Sequence, residues 1–213
     1  KSIPKDIDIV VVGDGIEFAN YVSKKIKNTP KVTIFKTYGT AMFRYNDLEI
    51  EFVGARKESY NENSRNPKIV TGTLEDDQNR RDFTINSMAF SLNKKHYGAL
   101  VDPFNGLKDI ENKLIKTPLS PEVTYNDDPL RMLRAIRFAT KLNFEIDKNS
   151  LKSIESLSSR IKIITKERIV VELNKILLTD KPSIGFTLLE KCGLLKYILP
   201  EITSLKGVDE IEG

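Results

Sequence analysis

Asp6 and Asp8 stand two residues apart in the apolar run Asp6-Ile7-Asp8-Ile9-Val10-Val11-Val12. In an extended strand both carboxylates therefore point to one side, with Ile7 and Ile9 on the other. Like charges that close repel unless a cation or solvent neutralises them, and at a strand end solvent alone suffices. A second segment repeats the pattern, with Leu48, Ile50 and Phe52 on one face and Glu49, Glu51 and Val53 on the other. Glu49 reads as an ordinary solvent-facing glutamate. Glu51 is a candidate third ligand that, with Asp6 and Asp8, would build a divalent-cation cage from two strands. Ions held this way suit phosphoryl or nucleotidyl transfer, one activating a hydroxyl and another steadying a triphosphate and its pyrophosphate leaving group.

Two further constellations are basic. Arg80-Arg81-Asp82 precedes a helix expected to begin near Thr84, where Asp82 is placed as an N-cap and the two arginines offer a site for phosphate or ribose oxygens. In Asn126-Asp127-Asp128-Pro129-Leu130-Arg131, Pro129 at the first helical position makes Asp128 the N-cap. Arg131 follows three residues on, on the same helix face. An Asp acceptor beside an Arg fork can also read the edge of a base. Arg134, Arg137 and Lys141 continue the helix as a basic stripe, either a solvated face or a surface for polyphosphate or RNA backbone.

Composition limits what else is available. The chain has 213 residues, with Lys+Arg 34 against Asp+Glu 30, a net charge of +4 and a pI near 9.0. Its 39% hydrophobic and 30% charged residues suffice for a core and exclude collagen-like and disordered classes. A single cysteine, Cys192, forms no internal disulfide, and His96 alone supplies no Cys/His zinc site. Metal chemistry must then run on carboxylates, for which Mg²⁺ is the natural cation. No apolar stretch approaches a bilayer span and no signal peptide is evident, so a cytoplasmic protein with no membrane partner is expected.

The elements that position these residues change character near residue 118. Before it, Ile7 to Val12 reads as a strand, a helix ends at Asn28-Thr29-Pro30, and Lys31 to Phe35 is β-branched. Ala41 to Tyr45 and Leu48 to Ala55 form a hairpin about Asn46-Asp47. Glu58 to Asn79 reads as a long mobile loop, Ile85, Met88, Ala89 and Leu92 as a buried helix face, and Gly98 to Pro103 as extended. After it come helices over Pro129 to Leu142, Lys148 to Ser158, Lys166 to Leu178 and Pro182 to Lys191, the last ended by Gly193. The fold class is thus α+β, with residues 1–118 as one domain and 119–213 as a helical one.

KDIDIVVVGDG, RRDFTINSMAF, LVDPFNGLKDIENKLIKTP, NDDPLRMLRAIRFATKLNFEID and ITKERIVVELNKILLTDKPSIGFTLLEKCGLLKYILPEI, in that order, resemble the class II tRNA nucleotidyltransferase and bacterial poly(A) polymerase family. The resemblance implies a polymerase-β-type nucleotidyltransferase head followed by an RNA-binding neck and the start of a body, extending RNA 3′ ends without a template. It implies Asp6 and Asp8 as catalytic Mg²⁺ ligands, with Glu51 matching an acidic strand position as a third. It implies nucleotide contacts from Arg80, Arg81, Asp82 and Asn86, and from Asp128 and Arg131 as the base-reading pair, Asp127 standing where the family has Glu. Arg134 and Arg137 match basic positions of the neck helix, and Arg137 and Lys141 face the RNA. The family's G-G-x-V-R-D triphosphate motif is not found in the sequence, so the chain is expected to be an internal piece of a longer protein. The expected reaction is CCA addition to tRNA 3′ ends from CTP and ATP; a poly(A) polymerase, a CC- or A-only enzyme, and a non-catalytic RNA-binding fragment are the alternatives.

Overall fold

The structure, a computed structural model, describes residues 6–36, 39–61, 64–205 and 207, with the backbone alone for 59–61 and 64–68. Two compact units emerge, one of residues 1–59 and 67–80, the other of 60–66 and 81–213. Compactness thus divides the chain at Arg80/Arg81, earlier than the change of composition near residue 118. Phe83 and Ile115 belong to the helical core, and the Thr84 amide donates to the Lys116 carbonyl at 2.9 Å.

In the first unit, β1 (Asp6–Val11), β2 (Thr33–Phe35), β3 (Thr40–Tyr45) and β4 (Leu48–Gly54) form a sheet in the order β1-β4-β3-β2. Strand β1 runs parallel to β4, in the register Asp6↔Glu49 and Asp8↔Glu51. Asn46, at φ 52°, turns the antiparallel β3–β4 hairpin as its Asn-Asp sequence foretells. Helix α1 (Gly15–Lys25) starts at Asp14, whose Oδ1 accepts from the amides of Ile16 (2.8 Å) and Glu17 (3.0 Å). Ala19 of α1 joins Ala41, Phe43 and Phe52 in the core, with Ile9, Val11 and Ile50 against them. That burial fixes register: sliding β1 by one residue would send its carboxylates into the apolar layer. The close approach of α1 to the sheet needs glycine, because a Cβ on Gly15 would lie 2.7 Å from the Gly54 amide nitrogen.

The polar span expected as a mobile loop is instead largely regular. Strands β5 (Arg56–Asn61) and β6 (Ser64–Thr71) pair with each other, and α2 (Leu74–Asn79) follows with a capping box between Thr73 and Asp76. Backbone pairing and capping give the polar residues a regular structure that hydrophobic patterning does not announce.

The second unit opens on a 3₁₀ turn, Thr84–Asn86, then β7 (Ala89–Phe90) and β8 (Leu100–Val101), where a buried helix was expected. Side chains here bond locally or to α3 (Gly106–Glu111): Ser87 Oγ donates to the Phe83 carbonyl at 2.9 Å and Thr84 Oγ1 to Asp109 at 2.7 Å. Such bonds compete with a helical ladder. Strand β9 (Leu114–Ile115) pairs in parallel with β10 (Glu145–Ile146), and between them lie α4 (Pro121–Asp127) and α5 (Leu130–Leu142). Beyond are α6 (Lys148–Leu157), α7 (Lys166–Leu177), α8 (Pro182–Lys191), α9 (Leu195–Ile198) and α10 (Pro200–Ser204). Leu130, Met132, Leu133, Ala135, Ile136 and Ala139 bury the inner face of α5, which packs on α7 and α8. Gly193, at φ 68°, closes α8, and the Leu194 amide reaches back to the Leu189 carbonyl at 2.9 Å, a Schellman end. The α+β class stands as expected.

Candidate functional site

In the first unit the acidic face of β1 and β4 lies opposite the face packed on α1. Asp6 and Asp8 are exposed on it, and Glu51 stands beside Asp8 across the parallel ladder. Glu49 is held by Arg44 on β3, whose Nη2 lies 3.0 Å from Glu49 Oε2. Two hard carboxylates on one strand face, open to water, suit Mg²⁺, which takes one or two protein carboxylates and completes its shell with water and substrate phosphates. Among the described residues no three acidic, His or Cys side chains converge on a common point. Of the three carboxylates expected to form a cage, Asp6 and Asp8 share one strand face and Glu51 is the register neighbour of Asp8.

Arg80 does not stand free beside a helix start. Its guanidinium engages Asp77 through Nε (3.0 Å) and through Nη2, and Glu58 through Nη1 at 3.5 Å. Glu58 also receives Arg56 Nε at 2.8 Å, so the network ties α2 to β5. Burial draws the Arg80 guanidinium's pKa below its ordinary value, Asp77 opposing. Arg81 is half-buried at the start of the second unit.

Asp82 is buried and caps no helix; the 3₁₀ turn begins without a side-chain cap. Its Oδ1 accepts from the Phe83 amide and from Asn86 Nδ2, both at 2.9 Å, and its Oδ2 from Arg134 Nε and Nη2, both at 2.7 Å. Asp82, Asn86 and Arg134 are thereby brought into one network across 52 residues of sequence.

Arg134 and Arg137 are not a solvated stripe. Arg137 Nε lies 2.6 Å from Glu172 Oε2 on α7, and the guanidinium sits 4.0 Å over the Phe138 ring. Arg134 Nη1 is 3.9 Å from the same carboxylate, and Lys175 Nζ is 3.2 Å away. Burial lowers the pKa of Arg137 and Glu172 works against it. Lys141, a turn later, is exposed.

Asp128 is the C-cap of α4, and Pro129, not Asp128 as expected, stands at the N-cap of α5, although Asp128 Oδ1 still accepts from the Leu130 amide at 3.1 Å. Its Oδ2 receives Arg168 Nη2 of α7 at 2.8 Å. Arg131 is buried, its Nη1 directed to the Thr124 carbonyl at 3.5 Å. Asp127 closes α4 one residue before Asp128. Arg168 and Glu172 escaped the sequence reading, yet a signal existed: two opposite charges at i and i+4 beside the apolar positions Ile169, Leu173 and Ile176 of one helix.

Two family models match the chain, "Poly A polymerase head domain" over residues 1–116 and "Probable RNA and SrmB- binding site of polymerase A" over 143–206. An A-adding tRNA nucleotidyltransferase of Aquifex aeolicus is 37% identical over 178 residues, 83% of this chain and 21% of that protein. A CCA-adding enzyme of Anoxybacillus flavithermus is 36% identical over 171 residues, 79% of this chain and 42% of that protein. Among solved structures, a tRNA nucleotidyltransferase complexed with a primer tRNA and an incoming ATP analog superposes with a TM-score of 0.78 at 30% identity, covering 98% of this chain and 56% of that one. The chain thus spans between about a fifth and just over half the length of these relatives. No helix among the described residues is long and apolar enough to cross a membrane.

Proposed function

This chain belongs to the class II tRNA nucleotidyltransferase and poly(A) polymerase family, and from that premise we propose that it serves template-independent nucleotidyl transfer to RNA 3′ ends, with tRNA as the RNA and CTP and ATP as nucleotide donors. The 3′ hydroxyl attacks the α-phosphate, the bond from the α-phosphorus to the bridging oxygen breaks, pyrophosphate leaves and the hydroxyl proton is lost. The observation that carries this reading is the exposed pair Asp6 and Asp8 on one face of β1.

Asp6 and Asp8 are the residues that would hold Mg²⁺. The chemistry a bound Mg²⁺ supplies is activation of the attacking hydroxyl and neutralisation of triphosphate charge. In the second unit, the Asp128 carboxylate accepts from the exocyclic amino group of cytosine or adenine while the Arg131 guanidinium donates to a ring acceptor, a pattern guanine and uracil do not match. Arg134 and Arg137 draw phosphate, and Asp82 holds Arg134 and Asn86 in position. The functional head extends to residue 118, and residues 119–213, Lys141 among them, meet the RNA.

Single-nucleotide incorporation on a tRNA lacking its 3′ end tests both halves. Asp8→Ala should lose about 10³-fold or more in rate, the several kcal/mol a metal contributes, with RNA affinity retained; near-normal Mg²⁺-dependent activity would refute the metal assignment. Arg131→Ala should instead erode the preference for CTP and ATP over UTP and GTP, and unchanged selectivity would remove its base-reading role.

A further inference from the structure

The segment expected to be a buried helix face, Ile85 to Leu92, instead runs into the hairpin of β7 and β8, and it turns large apolar groups outward. Phe90 is 69% exposed, Leu92 61%, Tyr97 77% and Leu100 43%. Phe90 and Leu100 are direct cross-strand partners and share one face, and Leu92 follows in the loop two residues beyond Phe90. Scattered exposed apolar residues are ordinary, but four within eleven residues of one hairpin form a patch of the kind that marks an interaction.

The hairpin is internally braced. The Gly98 amide donates to the Ser91 carbonyl at 2.8 Å, the Ser91 amide to Ala99 at 2.9 Å, and the His96 amide to Asn93 at 2.9 Å. Gly98, at φ 76°, supplies the left-handed residue that the return requires. A platform already ordered in this way binds without first losing backbone entropy.

Charge decides the occupant. Residues 89–101 contain Lys94, Lys95 and His96 and not one Asp or Glu. The next acid, Asp102, is occupied at the start of α3, accepting from the amides of Gly106 (2.7 Å) and Leu107 (3.0 Å). Exposed aromatic rings beside uncompensated lysines are the two components of single-strand recognition, rings for base faces and ammonium groups for phosphates. We infer that the β7–β8 hairpin is a docking surface for single-stranded RNA, with Phe90 and Tyr97 stacking bases and Lys94 and Lys95 meeting the backbone. It lies outside the matched RNA-binding region of residues 143–206, and it rests on the proposed RNA reading while adding a separate surface to it.

The test is fluorescence anisotropy of the 213-residue chain with two RNA hairpins of one sequence, one blunt and one with a single-stranded 3′ tail. Phe90→Ser with Tyr97→Ser should weaken binding of the tailed RNA about thirtyfold or more, in line with losing two stacked bases, and the blunt RNA far less. Lys94→Gln with Lys95→Gln should make the slope of log K against log salt shallower by about 1.4, at about 0.7 per phosphate contact in a single strand. Thermal melts like the parent's establish that both variants are folded. Parent-like binding of the tailed RNA by both pairs overturns the hairpin's role alone. A parent that binds neither RNA overturns the RNA reading and this surface with it. Sedimentation that shows a parent dimer dispersed by the aromatic pair, with RNA binding intact, assigns the face to a second copy of the chain and overturns the inference.

Discussion

Charge is held in opposite ways in the two units. On the β1 face of the first, Asp6 and Asp8 sit exposed, with an exposed Arg44–Glu49 pair beside them. Around α5 in the second, Asp82, Glu172 and Arg137 are buried, and their carboxylates and guanidiniums are matched at 2.6–2.7 Å. The exposed set is stabilised by water. The buried set has already met its desolvation cost and depends on its partners.

Breaking the buried set should have the largest effect. Glu172→Ala leaves Arg134 and Arg137 without their shared carboxylate and should cost about 3–5 kcal/mol, visible as a lowered midpoint in urea. A midpoint like the parent's would mean that the arginines relax to solvent and that the contrast between the units is shallow. Glu172→Gln should cost less, since an amide still accepts one hydrogen bond. Asp8→Ala, which abolishes catalysis under the proposed function, should change stability by no more than about 0.5 kcal/mol, the range of surface substitutions; a larger loss would show Asp8 to be a structural group. Arg44→Ala should cost about 0.2–1 kcal/mol, as exposed pairs do, and less in high salt. A salt-insensitive loss would contradict the exposure of that pair.

Much of the fold was legible because it obeys a simple period. Ile50 and Phe52 alternate with Glu49 and Glu51 about a turn at Asn46-Asp47, and α5 carries Leu133, Ile136 and Ala139 at helical spacing. The short α4 was not read, since Tyr125 is its one buried large apolar residue and Val123 is exposed. Strands β5 and β6 were not read either, because Asn and Pro67 mimic loop chemistry while backbone pairing holds them. Of the candidate site, residue types and places along the chain were visible; partners were not. Nothing local to Asp82 announces Arg134, nor does Asp128 announce Arg168 forty residues on. Ion pairs across such intervals are set by how α5 and α7 pack, which is tertiary information.

Strand β1 ends the sheet order β1-β4-β3-β2, so among the described residues it is an edge. An edge strand offers unpaired amides and carbonyls to any other strand it meets, and charged side chains are a common guard against that. Asp6 and Asp8 provide such a guard: two copies of β1 approaching edge to edge would bring four carboxylates together. Neutralising both removes this repulsion from a strand otherwise built of Ile and Val, so losing these two charges would make β1 prone to pair with a second copy.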